Sequence, residues 1–220
     1  MINKIFATPE AALADVPDGA TVMIGGFGNA GMPAALIDAL IERGARGLTV
    51  VNNNAGNADS GLAALIAAKC VRKIICSFPR QADSWHFDQA HRAGELELEL
   101  VPQGTLAERI RAAGAGIGAF YTPTAFGTEL AAGKETRRIG ERDYVLEYPI
   151  HADYALIKAD RADRWGNLTY RMTARNFGPI MAAAAKCTVA QVRETVELGE
   201  LDPEAVVTPG IFVKRVIKLH

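Results

Sequence analysis

The sequence has no excess of charge of either sign and no long apolar run. Its 24 lysines and arginines oppose 25 aspartates and glutamates, for a formal net charge of -1 at pH 7. Because nucleic-acid affinity comes largely from basic side chains, this balance argues against a general DNA- or RNA-binding protein. No apolar run approaches the roughly 20 residues that cross a bilayer, and the start has no signal-peptide core. We therefore expect a cytoplasmic protein without nucleic-acid or membrane partners.

Cysteine and histidine are scarce and are not spaced as ligands. The three cysteines, Cys70, Cys76 and Cys187, are odd in number and lie in apolar surroundings without a C-x-x-C pair. This usage is typical of buried, reduced thiols and does not favour a cysteine nucleophile. The four histidines are scattered, and none pairs with a cysteine or a second histidine at ligand spacing. The sequence therefore predicts no metal site.

Glycine is plentiful, with 21 residues, whereas aromatic residues make up only 7% of the chain. Through the first two-thirds, short β-branched runs alternate with amphipathic stretches, as in strand 21–24, helix 33–43 and strand 48–51. This alternation predicts an α/β fold, an open and mostly parallel sheet with helices on both faces. No repeat or linker interrupts the pattern, so residues 1–220 are predicted to form a single domain.

Later segments give less regular expectations. The capping-box pattern Thr105-Leu-Ala-Glu108 predicts a helix that begins at this point and continues through Arg111. Residues 114–127, rich in glycine, threonine and proline, predict a long structured loop, and the polar segment 134–142 predicts a surface turn.

The densest functional pattern is a run of glycines between the first predicted strand and helix. It comprises Gly25, Gly26, Phe27, Gly28, Asn29, Ala30 and Gly31. Backbone amides beside a helix N-terminus suit a phosphate, a carboxylate or a developing oxyanion. The spacing also matches G-x-G-x-x-G, but the acidic residue expected after the next strand is replaced by Asn52-Asn-Asn54. A glycine turn that only permits close strand–helix packing explains the run equally well.

Polar side chains also follow the next three predicted strands. Asn53 and Asn54 follow strand 48–51, Arg80 follows strand 71–77, and Gln103 follows strand 96–101. In open α/β sheets, ligands bind at the carboxyl edge, where these residues are expected. An amide there can donate to a carbonyl oxygen that gains charge, and an arginine can hold a carboxylate. Local turns and solvated side chains are the alternatives.

Taken together, the motifs resemble the A (alpha) subunits of family I, the 3-oxoacid CoA-transferases. The resemblance covers nearly the whole chain and rests on Asp18-Gly-x-x-x-x-x-Gly25-Gly-Phe-x-x-x-Gly31-x-Pro33, Asn53-Asn-Ala-Gly56, Val101-Pro-Gln-Gly-Thr-Leu-Ala-Glu-Arg-Ile110, Phe120-Tyr-Thr-Pro-Thr124, Asp163-x-x-Gly-Asn-Leu-Thr-Tyr170 and Ala174-Arg-Asn-Phe177. Within the family, Ser77-Phe-Pro-Arg-Gln81 and Arg175-Asn-Phe-Gly-Pro-Ile-Met181 look most like the branch that acts on 3-oxoadipate in aromatic-compound catabolism.

The resemblance implies a CoA-transferase (NagB-like) fold and a shared active site. In this family a glutamate carboxylate attacks an acyl-CoA, here expected to be succinyl-CoA, and becomes an enzyme thioester that passes CoA to the acceptor acid. The nucleophile lies in a Ser-Glu-Asn-Gly motif of the B (beta) subunit, and no glutamate of this chain is followed by asparagine. The resemblance therefore implies a heterodimer or heterotetramer with a B subunit. CoA is a substrate, so no cofactor is expected.

By the same resemblance, residues 25–31 form the CoA-associated loop, Gln103 is an oxyanion donor, and Asn53 and Asn54 line the site. A grip of Arg80 on the distal carboxylate of the acceptor is an additional hypothesis. Three alternatives remain: the corresponding chain of an acetate or acetoacetate CoA-transferase, a nicotinamide-dependent oxidoreductase that uses the same glycines, and a non-catalytic metabolite-sensing module.

Overall fold

A computed structural model describes residues 2–219, which form one large sheet, one small sheet and helices that pack on the large sheet. The strands are β1 (Ile5–Phe6), β2 (Thr21–Ile24), β3 (Leu48–Val51), β4 (Val71–Cys76), β5 (Glu97–Leu100), β6 (Phe120–Thr122), β7 (Thr136–Ile139), β8 (Arg142–Glu147), β9 (Ala152–Asp163), β10 (Leu168–Thr169), β11 (Ala185–Val196) and β12 (Val213–Lys218). The α-helices are α1 (Pro9–Leu13), α2 (Ala34–Arg43), α3 (Leu62–Ala67), α4 (Trp85–Arg92), α5 (Gln103–Gly114) and α6 (Gly178–Ala184).

The large sheet has the strand order β1-β12-β11-β9-β2-β3-β4-β5, and these neighbours are all parallel. Only β10, which pairs with β9, runs antiparallel in the described part of this sheet. The small sheet, β6-β8-β7, is antiparallel. The predicted mostly parallel sheet is therefore confirmed, while the single-domain assignment stays a prediction.

Both faces of the large sheet are buried, as parallel sheets require. Successive side chains of a strand point to opposite faces, so Val22 and Ile24 join one core cluster and Met23 joins the other. Helices α1 to α4 supply the first cluster, and α5 and α6 supply the second. Helices therefore cover both faces, as predicted. No helix within residues 2–219 has both the length and the apolar character that a membrane span requires.

Three local expectations were wrong. Residues 120–122 of the predicted loop 114–127 form strand β6, which pairs with β8. Helix α5 begins at Gln103 after Pro102, so Thr105 lies buried in the first turn and its hydroxyl has no partner among the described residues. The Thr105–Glu108 pattern is therefore not a capping box. Segment 134–142 contains a strand instead of only a turn, because Gly140 adopts φ 62° and lets β7 return directly into β8.

Arg215 of β12 forms hydrogen bonds that connect helix α1 and the residues after it to the large sheet. Its Nη1 donates to Ala12 O at 2.6 Å, and its two terminal nitrogens each donate to a carboxylate oxygen of Asp15 at 2.6 Å. The guanidinium also lies 5.6 Å from the ring centroid of Phe6. Hydrogen bonding from Arg215 lowers the pKa of Asp15 below its ordinary value.

Replacing Arg215 with methionine is expected to lower the free energy of unfolding by about 1 kcal/mol at pH 7, as the charged hydrogen bonds are lost and Asp15 is partly exposed. Because the folded-state pKa of Asp15 is depressed, the bond contributes fully above the ordinary carboxyl pKa of about 4 and fades as pH falls below it. Urea unfolding of the wild type and the variant at pH 7 and pH 3 measures this. A difference that stays constant between the two pH values would contradict the assignment.

Candidate active site

A cavity of about 400 Å³ lies at the carboxyl edge of the large sheet. Because β2, β3, β4 and β5 are parallel neighbours, the loops that follow them emerge side by side at this edge. All four loops contribute to the cavity wall, which consists of Phe27, Gly28, Asn53, Ser77, Phe78, Gln81 and Gln103. The fold thus gathers the glycine loop, Asn53 and Gln103 in one place.

The glycine loop, residues 25–31, is a small hairpin closed by hydrogen bonds of its own backbone. Phe27 N donates to Ala30 O at 2.9 Å, and Ala30 N donates back to Phe27 O at 3.2 Å. Gly25 N donates to Leu156 O of β9 at 2.8 Å. Within residues 2–219, the amides of Gly28, Asn29 and Gly31 have no acceptor. Only part of the predicted set of amides is therefore free to bind a ligand.

Asn176, which the sequence pattern did not mark as a site residue, holds this loop from the side. Its Oδ1 accepts from Gly26 N at 3.2 Å, and its Nδ2 donates to Ala30 O at 2.9 Å. A Cβ on Gly31 would lie 2.5 Å from Ala174 O, and Gly31 has φ 75°. The only sequence signal for Asn176 is that it lies in the motif 174–177. Its contact with the glycine loop joins residues about 150 positions apart, which no local pattern predicts.

The three consecutive asparagines have different surroundings. Asn52 is fully buried, and its Nδ2 donates to Ile24 O at 2.5 Å while its Oδ1 accepts from Asn54 N at 2.8 Å. Asn53 O accepts from Ser77 N at 3.1 Å and from Phe78 N at 3.0 Å. Asn53 lines the cavity, is only 4% exposed, and its Oδ1 has no partner in the described residues. Asn52 is thus structural, whereas the Asn53 carboxamide is available.

Asn54 does not line this cavity. Its Oδ1 accepts from Gly56 N at 2.8 Å, and it lines a second, smaller cavity that the glycine loop also borders. The loop after β3 therefore supplies adjacent asparagines to two neighbouring cavities.

Ser77 also lines the first cavity, with a hydroxyl that is shielded from solvent and has no partner in residues 2–219. Gln81 lines the same cavity, and its backbone amide donates a hydrogen bond to Ser84 Oγ at 2.9 Å. Of segment 77–81, the sequence predicts only Arg80 as a site residue. Position alone, directly after β4, could have indicated Ser77.

Gln103 and Arg80 lie in different surroundings. Gln103 is the first residue of α5, and its exposed side chain forms part of the cavity wall. Arg80 is not among the lining residues. Its Nε donates to Asp88 Oδ1 at 2.5 Å, and its side chain is 59% exposed. The structure therefore brings Gln103, but not Arg80, to the cavity.

Cys76, the last residue of β4, is fully buried directly before Ser77. Burial raises the pKa of its thiol to about 12. A thiol that stays protonated at neutral pH is a poor nucleophile. Residues 2–219 contain no group of three or more histidine, cysteine, aspartate or glutamate side chains that could hold a metal ion.

Comparison with known proteins identifies the family of this chain. Residues 6–219 match the family model described as Coenzyme A transferase. The chain belongs to the coenzyme A transferase family. It is 65% identical to the A subunit of 3-oxoadipate CoA-transferase from Pseudomonas putida, over 99% of this chain and 94% of that protein. It is 53% identical to the A subunit of succinyl-CoA:3-ketoacid coenzyme A transferase from Xanthomonas campestris, over 97% of this chain and 88% of that protein.

A solved structure shows the same fold. Glutaconate coenzyme A-transferase from Acidaminococcus fermentans matches with a TM-score of 0.86 and 20% identity, covering 98% of this chain and 75% of that chain. The predicted CoA-transferase fold is thus confirmed. The family membership also removes the oxidoreductase and sensing-module alternatives as explanations of the glycine loop.

Proposed function

We propose that this chain is the A subunit of a heteromeric, cytoplasmic CoA-transferase that moves CoA from succinyl-CoA to 3-oxoadipate. The two relatives compared above are both named as A subunits, which supports the existence of a partner. The higher identity to the 3-oxoadipate enzyme favours that acceptor over acetoacetate or another 3-oxo acid.

The composition of the cavity carries this proposal. Asn53, Ser77, Gln81 and Gln103 line it with hydrogen-bonding groups, yet none of its lining residues carries a carboxylate. Transfer of CoA through an enzyme-bound CoA thioester needs a carboxylate nucleophile, because only a carboxyl group can carry the CoA thiol as a thioester. A cavity that offers hydrogen-bonding groups but no carboxylate is half of such a site, and a glutamate from the B subunit would complete it.

The chemistry then proceeds in balanced steps. The partner's glutamate attacks the succinyl-CoA carbonyl, and the tetrahedral oxyanion collapses to a mixed anhydride with release of the CoA thiolate. The thiolate attacks the glutamyl carbonyl, which releases succinate and leaves a glutamyl-CoA thioester. The carboxylate of 3-oxoadipate then attacks this thioester, and the same two steps run in reverse to give 3-oxoadipyl-CoA and the free glutamate. CoA is a substrate throughout.

In this scheme Gln103 donates a hydrogen bond from its side-chain amide to the oxyanion. Its position at the first residue of α5 also places the oxyanion near the positive end of that helix. Asn53 lines the same cavity as a further polar group for the substrate. Gly28, Phe27 and the rest of the 25–31 loop would border the CoA thioester.

Arg80 is the proposed grip on the distal carboxylate of 3-oxoadipate. In the structure it is paired with Asp88 outside the cavity, so this role requires the guanidinium to leave Asp88 when the acceptor binds. Gln81, the next residue in the chain, lines the cavity, so the backbone of Arg80 lies beside the cavity wall.

Incubation with succinyl-CoA, followed by mass spectrometry of the intact chains, tests the function. We expect a covalent CoA adduct on the B subunit of the co-expressed complex and none on this chain, alone or in complex. Borohydride trapping would locate the adduct. A thioester on a glutamate of this chain would contradict the division of roles, and no adduct in either chain would contradict the proposed function.

Replacing Gln103 with alanine is expected to lower kcat about 100-fold, since one lost oxyanion donor typically costs that much, with KM changed less than about threefold. Steady-state assays of the complex measure both constants. Gln89→Ala, at an exposed position of α4, is the matched control. A Gln103→Ala complex with nearly wild-type kcat would remove Gln103 from the mechanism.

Replacing Arg80 with alanine is expected to raise KM for 3-oxoadipate about tenfold while KM for succinyl-CoA stays within about threefold, because a charged carboxylate contact is lost. Arg92→Ala is the control, because Arg92 also approaches Asp88, at 3.9 Å, from the same helix as that aspartate. An unchanged KM for 3-oxoadipate would end the Arg80 hypothesis.

A further inference from the structure

A second cavity of about 270 Å³ adjoins the candidate active site. The two cavities share Gly28, so the glycine loop forms a wall of both. Asn54 and Lys158 line the second cavity, together with Asn29 and Ala34. Lys158 takes part in no step of the proposed mechanism.

Asn54 presents an unused donor here. Because its Oδ1 accepts from Gly56 N at 2.8 Å, the orientation of the carboxamide is fixed and the other atom must be Nδ2. Nδ2 has no hydrogen-bond partner in the described residues, and Asn54 is only 3% exposed. Buried donors are nearly always satisfied, so an unsatisfied one beside a cavity indicates a missing acceptor.

Lys158 brings a positive charge to the same cavity. It lies on β9 with an exposed side chain, and no carboxylate in residues 2–219 lies within ion-pair distance of it. The nearby Asp160 is already paired with Arg193 Nε at 2.9 Å. Lys158 is therefore free to meet an anion.

Backbone N–H groups add to the positive electrostatic potential at the second cavity. The amides of Gly28 and Asn29 have no acceptor in the described residues, and the ten-residue helix α2 begins beside the cavity at Ala34. A helix N-terminus attracts negative charge. None of the lining residues is acidic. Lysine, a fixed amide donor and free backbone N–H groups together favour the binding of an anion.

We infer that this site binds the terminal carboxylate of the succinyl group of the donor, an inference that rests on the proposed function. The acyl carbonyl must react in the first cavity beside Gln103, and a spacer of two methylenes separates it from the succinyl carboxylate. A neighbouring cavity bordered by the same loop suits so short a spacer. The pyrophosphate of CoA is separated from the thioester by the whole pantetheine arm, so it suits a cavity that shares Gly28 with the first one less well.

The experiment compares succinyl-CoA with butyryl-CoA, which has the same chain length but no terminal carboxylate. The complex of both subunits is assayed with 3-oxoadipate, and the ratio of kcat/KM for the two donors is determined for the wild type, Lys158→Met and Asn54→Asp. We expect each variant to lower the ratio of succinyl-CoA to butyryl-CoA about tenfold or more. Asn54→Asp keeps an acceptor for Gly56 N but turns the free donor into a repelling oxygen.

A second measurement serves if butyryl-CoA turns over too slowly. Inhibition constants of succinate and butyrate are compared, and the preference for succinate is expected to fall by the same factor in both variants. Lys218→Met, which removes an exposed lysine of β12, is the control and should leave the preference intact. Thermal unfolding of each complex verifies its folding.

The outcomes separate this inference from the proposed function. If the wild-type complex transfers CoA from no donor, the proposed function itself fails. If it uses succinyl-CoA but the variants weaken both donors equally, Lys158 contacts the CoA portion or acts only structurally, and the inference is overturned. An unchanged donor ratio in both variants overturns it as well.

Discussion

The parallel alignment of β2, β3, β4 and β5 is the constraint on which the site depends. Strands that run the same way end at the same edge, so four loops distant in sequence meet there. The loops contribute backbone amides after β2, a carboxamide after β3, a hydroxyl and a second carboxamide after β4, and a third carboxamide at a helix start after β5. An antiparallel strand among them would send its loop to the opposite edge and break the cavity.

The same edge shows which polar groups are structural and which are free. The carboxamide of Asn52 bonds to strand β2 and to its own loop. The carboxamide of Asn176 bonds to the glycine loop and fixes its position. Asn53, Asn54 and Ser77 each keep an atom without a partner in the described residues, beside a cavity. Buried polar atoms are costly when unsatisfied, so these three are the groups through which a ligand would gain most. The unpartnered groups of Asn53, Asn54 and Ser77 thus lie around the glycine loop, whose position Asn176 fixes.

Much of this arrangement could be predicted from the sequence, and the failures have identifiable causes. Alternating strands and helices are local patterns, so the parallel sheet and the placement of Gln103 at its edge were predictable. The start of α5 was not, because the helix begins directly after Pro102, two residues before the threonine that looked like a cap. The contact of Asn176 with the glycine loop joins distant segments, and the pairing of Arg80 with Asp88 depends on where α4 packs.

Residue identity and order were enough to establish the family, the fold class, and the absence of a glutamate in the nucleophile's motif. They also marked the glycine run, in which Gly31 is required because a Cβ there would meet Ala174 O. The folded chain was needed to show which side chains are free and which are already bonded. It separated Asn53 from Asn54 into two cavities and brought Lys158 beside the second. Such assignments follow from packing between distant segments, and no local pattern encodes them.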